Sequence, residues 1–142
     1  MKMKVVVSAV LVVAALSVTV AALAAVPGTY RGSLYQAGVK VANAPATVSV
    51  VGTKVTITAP RLPVMCLSAS GAYDMPSAPV RYVFKGTRKG NQVNGKYISP
   101  LGGTGEYFVA KGRFIPATKS FLGTLSFMGK CQGTSTVRVK KG

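Results

Sequence analysis

Apolar residues along most of this chain recur at every second position, the pattern of half-buried strands. The clearest case is Pro45 to Ala59, where Val48 and Val50 alternate with Thr47 and Ser49. A turn centred on Gly52 follows, after which Val55 and Ile57 alternate with Lys54, Thr56 and Thr58. This reads as a hairpin with one dry and one wet face. Thr29 to Gln36 reads as a strand with Tyr30 and Leu34 on one side and Arg31, Ser33 and Tyr35 on the other. Arg61 to Leu67 is a rougher strand, pushed towards a sheet edge by Pro60 and Pro63. Ser68 to Pro79 reads as a long loop, and Val80 to Lys85 as a strand with Val80, Tyr82 and Phe84 inward. Gly86 to Gly90 is expected to form a basic turn and Pro100 to Gly105 a glycine-rich loop. The remaining strands are Gln92 to Ile98, Gly105 to Ile115, Phe121 to Met128 and Thr134 to Lys140.

These segments amount to eight or nine strands with short connections, and no stretch beyond the leader carries a helical period. The expected fold is all-β: an antiparallel meander of about eight strands, closed as a small barrel or folded as a two-layer sandwich. Both geometries give the same alternation. A glycine followed two residues later by an aromatic recurs at Gly28/Tyr30, Gly71/Tyr73, Gly95/Tyr97, Gly105/Tyr107 and Gly112/Phe114. Two such residues share a strand face, so a ring can cover a glycine where the sheet bends. A core role for these rings is favoured over an aromatic platform for sugars or bases.

The first 24 residues break the pattern. Lys2 and Lys4 precede an apolar run from Val5 to Leu23, and Ala22-Leu23-Ala24 supplies the small residues that signal peptidase requires. Residues 1–24 therefore read as a signal peptide with an N-terminal signal helix, cleaved before Ala25 or, second, before Val26. Residues 25–142 read as one β domain. The competing reading, an uncleaved anchor, rests on a run close to the length of about 20 residues that spans a bilayer. Against it stand Pro27-Gly28 and the lack of a basic stop-transfer cluster.

Export changes how the cysteines are read. Cys66 and Cys131 are the only two, and an even number in an exported chain points to a disulfide. Closing that interval stabilises a chain by about 4 kcal/mol through loop entropy. The other reading is two buried thiols.

Charge is the remaining anomaly. The chain has 18 Lys+Arg against 2 Asp+Glu, a formal net charge of +16. Loss of Lys2 and Lys4 with the leader leaves the domain at +14. Lys85, Arg88 and Lys89 crowd one turn, Lys111 and Arg113 share a strand face, and Arg138 and Lys140 share another. These seven are the candidate polyanion-binding residues. The partners they suggest are wall phosphates, acidic polysaccharide, nucleic acid or an anionic membrane surface. A basic surface kept for solubility is the competing explanation.

Catalytic chemistry is sparse. Without histidine there is no Ser-His or Cys-His pair. Asp74 and Glu106 are the only carboxylates, and two among so many cations read as ion-pair partners rather than a glycosidase pair. Two cysteines without histidine do not make a zinc site, so no metal is expected. Gly102-Gly103 lacks the Lys-Ser/Thr of a nucleotide-binding phosphate loop, and no other cofactor signature is present. The expectation is a non-catalytic envelope or extracellular domain. The alternatives are a carrier of a small apolar ligand in a β-barrel or a secreted enzyme inhibitor.

Several short pieces carry a resemblance: G-T-Y-R-G at Gly28 to Gly32, Cys66 after the third strand, and G-R-F at Gly112 to Phe114. L-G-T-L at Leu122 to Leu125 and C-Q-G-T-S-T-V-R-V at Cys131 to Val139 complete the set. In these the chain resembles small exported β-domain proteins common in bacteria, a group with no established activity. The resemblance implies the β fold and the disulfide. It departs at Arg138, where such proteins often carry an aromatic. The Gly-x-aromatic strands are also similar to those of biotin-binding barrels, but those surround their ligand with tryptophans and this chain has none.

Overall fold

The computed structural model describes residues 25–98 and 107–142; the expected signal peptide, the loop from Pro100 to Gly105 and Glu106 lie outside them. Ten strands follow in order: β1 (Gly28–Gln36), β2 (Val39–Val51), β3 (Lys54–Ala59), β4 (Met65–Leu67) and β5 (Tyr73–Asp74) come first. Then come β6 (Tyr82–Lys89), β7 (Gln92–Ile98), β8 (Tyr107–Ile115), β9 (Ser120–Met128) and β10 (Cys131–Lys141). A single 3₁₀ turn, Pro116–Thr118, separates β8 from β9.

The open choice between barrel and sandwich resolves to a barrel. Strands β1, β2, β3, β6, β7, β8, β9 and β10 pair in that order, and β1 pairs back onto β10. Every pairing is antiparallel. Closure gives each of the eight barrel strands a neighbour on both sides. Three hairpins turn in two residues each. Ala37-Gly38 has positive φ at both positions (48° and 80°), and Gly52-Thr53 and Gly90-Asn91 have it at the glycine (59° and 60°). Such turns match the right-handed twist of the strands they join.

Four expectations shift. Gly86 to Gly90 is not a basic turn: Gly86 to Lys89 continue β6, and the chain reverses only at Gly90-Asn91. Gly86 serves instead as a corner, since a β-carbon there would stand 3.0 Å from the Cα of Gly95 on β7. The strand expected from Arg61 begins only at Met65, because Pro60 and Pro63 offer no N–H to a ladder. The loop from Ser68 to Pro79 contains the two-residue strand β5, which pairs with β4. Finally, β2 starts at Val39, several residues before the alternation is visible; the register with β1 slips between Ser33 and Tyr35, and Asn43 sits at φ 55°.

Inside the barrel the alternation holds. Tyr30, Leu34, Val48, Val50, Val55, Ile57, Leu125, Val137 and Val139 are buried together with five phenylalanines, in one continuous cluster. Phe127 packs against Tyr82 and Phe108 with ring centroids 4.2 Å and 4.5 Å away. Phe121 covers the facing pair Gly112 and Gly123, so that a β-carbon at Gly123 would stand 2.7 Å from its ring. The Gly-aromatic idea therefore holds physically at Gly112, but the covering ring comes from the neighbouring strand rather than from Phe114. Tyr73 departs from the core reading and is exposed.

Each end of the barrel has its own closure. At the end holding the chain's N-terminal segment, the Tyr30 hydroxyl donates to the Val26 carbonyl at 2.7 Å, and Ala25 is buried. Burial raises the Tyr30 phenol above its ordinary range, opposed by the positive charge of Arg88. At the other end the excursion from β3 to β6 folds over, burying Leu62 and Val64. The Cys66–Cys131 disulfide, 2.04 Å between sulfurs, holds it there, joining residues that are direct register partners of β4 and β10.

Candidate polyanion-binding wall

Alternation that sends apolar side chains inward sends the intervening ones outward, and barrel closure decides which outward residues become neighbours. On β8 the exposed positions are Lys111 and Arg113; on β10 they are Arg138 and Lys140. Strand β9 lies between them: Leu122 is the register partner of both Arg113 and Arg138. The two guanidinium-bearing residues therefore stand two strand spacings apart, about 10 Å. Four of the seven candidate residues are thus brought onto one wall.

The seam adds two cations that sequence reasoning left out. Arg31 on β1 is the direct partner of Lys140, and Ser33 is the partner of Arg138. Lys40, on β2, pairs with Tyr35. The Arg138 guanidinium lies over the Tyr35 ring, 4.5 Å from its centroid, which fixes the cation against the wall. An open groove of about 590 Å³ runs along this seam, lined by Arg31, Tyr35, Lys40, Arg138 and Lys140 over Ile115 and Leu122. A second, of about 460 Å³, continues past Leu122 to Lys111, Arg113 and Gln92. Neither groove has a carboxylate in its lining. Asp74, the one carboxylate side chain among the described residues, is on β5 at the disulfide end.

The first cluster of three is split. Lys85 and Lys89 are exposed on the outer face of β6; Lys89 adjoins the wall through Gln92, the register partner of both Lys89 and Arg113, whereas Lys85 pairs with Thr56 on β3. Arg88 follows the inward alternation of Phe84 and Gly86 and is half-buried. Its Nε donates to the Gly52 carbonyl at 2.7 Å and a terminal nitrogen to the Gly90 carbonyl at 3.1 Å. That arrangement ties two hairpin turns together, which is a structural use for the charge.

Chemically the wall offers fixed positive charge, hydroxyls from Ser33, Thr124 and Thr136, and a small apolar strip. It suits phosphate, sulfate or carboxylate groups presented in series. Among the described residues, no group of three or more His, Cys, Asp or Glu side chains is placed to hold a metal ion. No protein-family model, curated protein or solved structure matches the chain.

Proposed function

We propose that this is an exported, non-catalytic binding domain whose β8–β9–β10–β1 wall holds anionic polymers by charge. The observation that carries the reading is the gathering of Lys111, Arg113, Arg138, Lys140, Arg31 and Lys40 on one stretch of barrel wall with no carboxylate among them. Cations kept only for solubility have no reason to share a face, since they repel. The carrier alternative takes second place because the inward positions are occupied by one continuous buried cluster.

Polymer binding by charge releases counterions, so affinity for a labelled DNA duplex, followed by fluorescence anisotropy, should fall linearly on a log–log plot against salt. Replacing Lys111, Arg113, Arg138 and Lys140 together by glutamine should flatten the slope by about three to four units, at roughly 0.9 per phosphate neutralised. Arg88→Gln should leave it nearly unchanged, because that guanidinium serves Gly52 and Gly90. No binding at about 50 mM salt, or a salt-indifferent affinity, would sink the reading.

The export half of the reading is supported by the leader pattern and by the disulfide, which persists in oxidising compartments. Intact mass of protein recovered outside the cytoplasm should lack residues 1–24 or 1–25. Recovery of only the full-length chain, in membranes, would favour the anchor.

A further inference from the structure

Closure places like charges against one another at the β1–β10 seam. Arg31 and Lys140 are directly opposite, Arg138 is the diagonal neighbour of Arg31, and Arg138 and Lys140 are two apart on the same face. Directly opposed like charges destabilise a pair of strands. Several outward cations elsewhere face neutral partners among the described residues: Lys54 faces Thr87, and Lys111 faces Thr124 and Asn94. The seam sets three cations together, and it lies in the groove whose floor is Ile115 and Leu122. The backbones are tightly apposed there: a β-carbon at Gly32 would come within 2.9 Å of the Val139 Cα. Arg138 is held in place there by the Tyr35 ring.

We propose that Arg31, Arg138 and Lys140 form a discrete site for one tetrahedral oxyanion, a phosphate or sulfate group, which completes the seam and stabilises the closed barrel. The group can be free or part of a polymer. Two guanidinium forks and an ammonium supply enough donors for several charge-assisted bonds to its oxygens. The inference deepens the polymer-binding reading and rests on the same wall. It adds that the seam recognises a single group, and that occupancy is linked to stability rather than to charge alone.

The test is the melting temperature of the purified protein in inorganic phosphate against chloride at matched ionic strength. The unaltered protein should gain about 5 °C with phosphate tenfold above half-saturation. The gain should rise with the logarithm of phosphate concentration beyond half-saturation and should vanish in the Arg31→Gln/Arg138→Gln variant, while Lys54→Gln retains it. Equal gains in all three proteins would mean a general salt effect and overturn the site, as would no gain in any. Should the double variant fail to fold, Lys140→Gln serves in its place, with a reduced gain expected and an undiminished one counting against the site. A steep salt slope for duplex binding without a phosphate-specific gain would overturn the seam site and leave the polymer reading standing. A phosphate-specific gain without polymer binding would do the reverse.

Discussion

Phe121→Ala is expected to lower the melting temperature by about 15 °C. Its ring is fully buried, packs at a tilt 4.9 Å from Phe114 and is the side chain that fills the space over Gly112 and Gly123. Removing a buried phenylalanine costs about 4 kcal/mol, and a domain of this size shifts by roughly 4 °C per kcal/mol. Collapse cannot easily heal the hole, because the residues beneath the ring have no side chains to move into it. A double-mutant cycle makes the coupling visible. In the unaltered barrel Gly123→Ala should destabilise, since the new methyl would press on the ring. In the Phe121→Ala background it should cost less, the remainder coming from the Lys111 carbonyl 2.9 Å from the new β-carbon, and thermal denaturation of the four proteins measures the difference. Additive effects would show that the ring and the glycine are energetically independent.

Loss of the disulfide should be comparable in size. Breaking the Cys66–Cys131 bond frees an interval of 65 residues in the unfolded chain, worth about 4 kcal/mol, so reduction should lower the melting temperature by about 15 °C. The folded state contributes in the same direction. Strand β4 has only two register partners on β10, and the excursion it anchors covers the barrel end with Leu62 and Val64. Calorimetry of the Cys66→Ser/Cys131→Ser variant checks the expectation, with limited proteolysis between Met75 and Val80 as a local readout. A melting temperature within 2 °C of the parent would show that the excursion holds itself, against a bridge worth about 4 kcal/mol.

Much of this architecture is legible in the sequence because period-two alternation survives in nearly every barrel strand. Val48, Val50, Val55 and Ile57 point inward as the alternation requires, and so does Phe84. Glycine beside charge is not by itself a turn signal. Gly86 to Lys89 carry that signature but stay in β6, since a closing sheet needs glycine at its corners. Ala37-Gly38 turns tightly without the Asn-Gly or Asp-Gly that normally marks such a turn. The wall was half visible. Lys111 with Arg113, and Arg138 with Lys140, follow from alternation along single strands. Arg31 and Lys40 join them only because the first strand pairs with the last, and no local pattern encodes a contact between residues 31 and 140. Arg88 looked like its neighbours Lys85 and Lys89 because sequence proximity hides that it lies on the opposite face of the strand.

The pairing of β1 with β10 also governs how the chain is made. Strand β1 is made well before its partner β10, so throughout that interval one of its hydrogen-bonding edges is open. Open edges recruit strands from other chains, and charged side chains along them are a common safeguard. Arg31 on the waiting strand, and Arg138 and Lys140 on the arriving one, place positive charge along both unfinished edges. Two nascent copies meeting edge to edge would bring those charges together. The cations that burden the finished seam therefore protect the unfinished one, favouring closure within a single chain over assembly between chains.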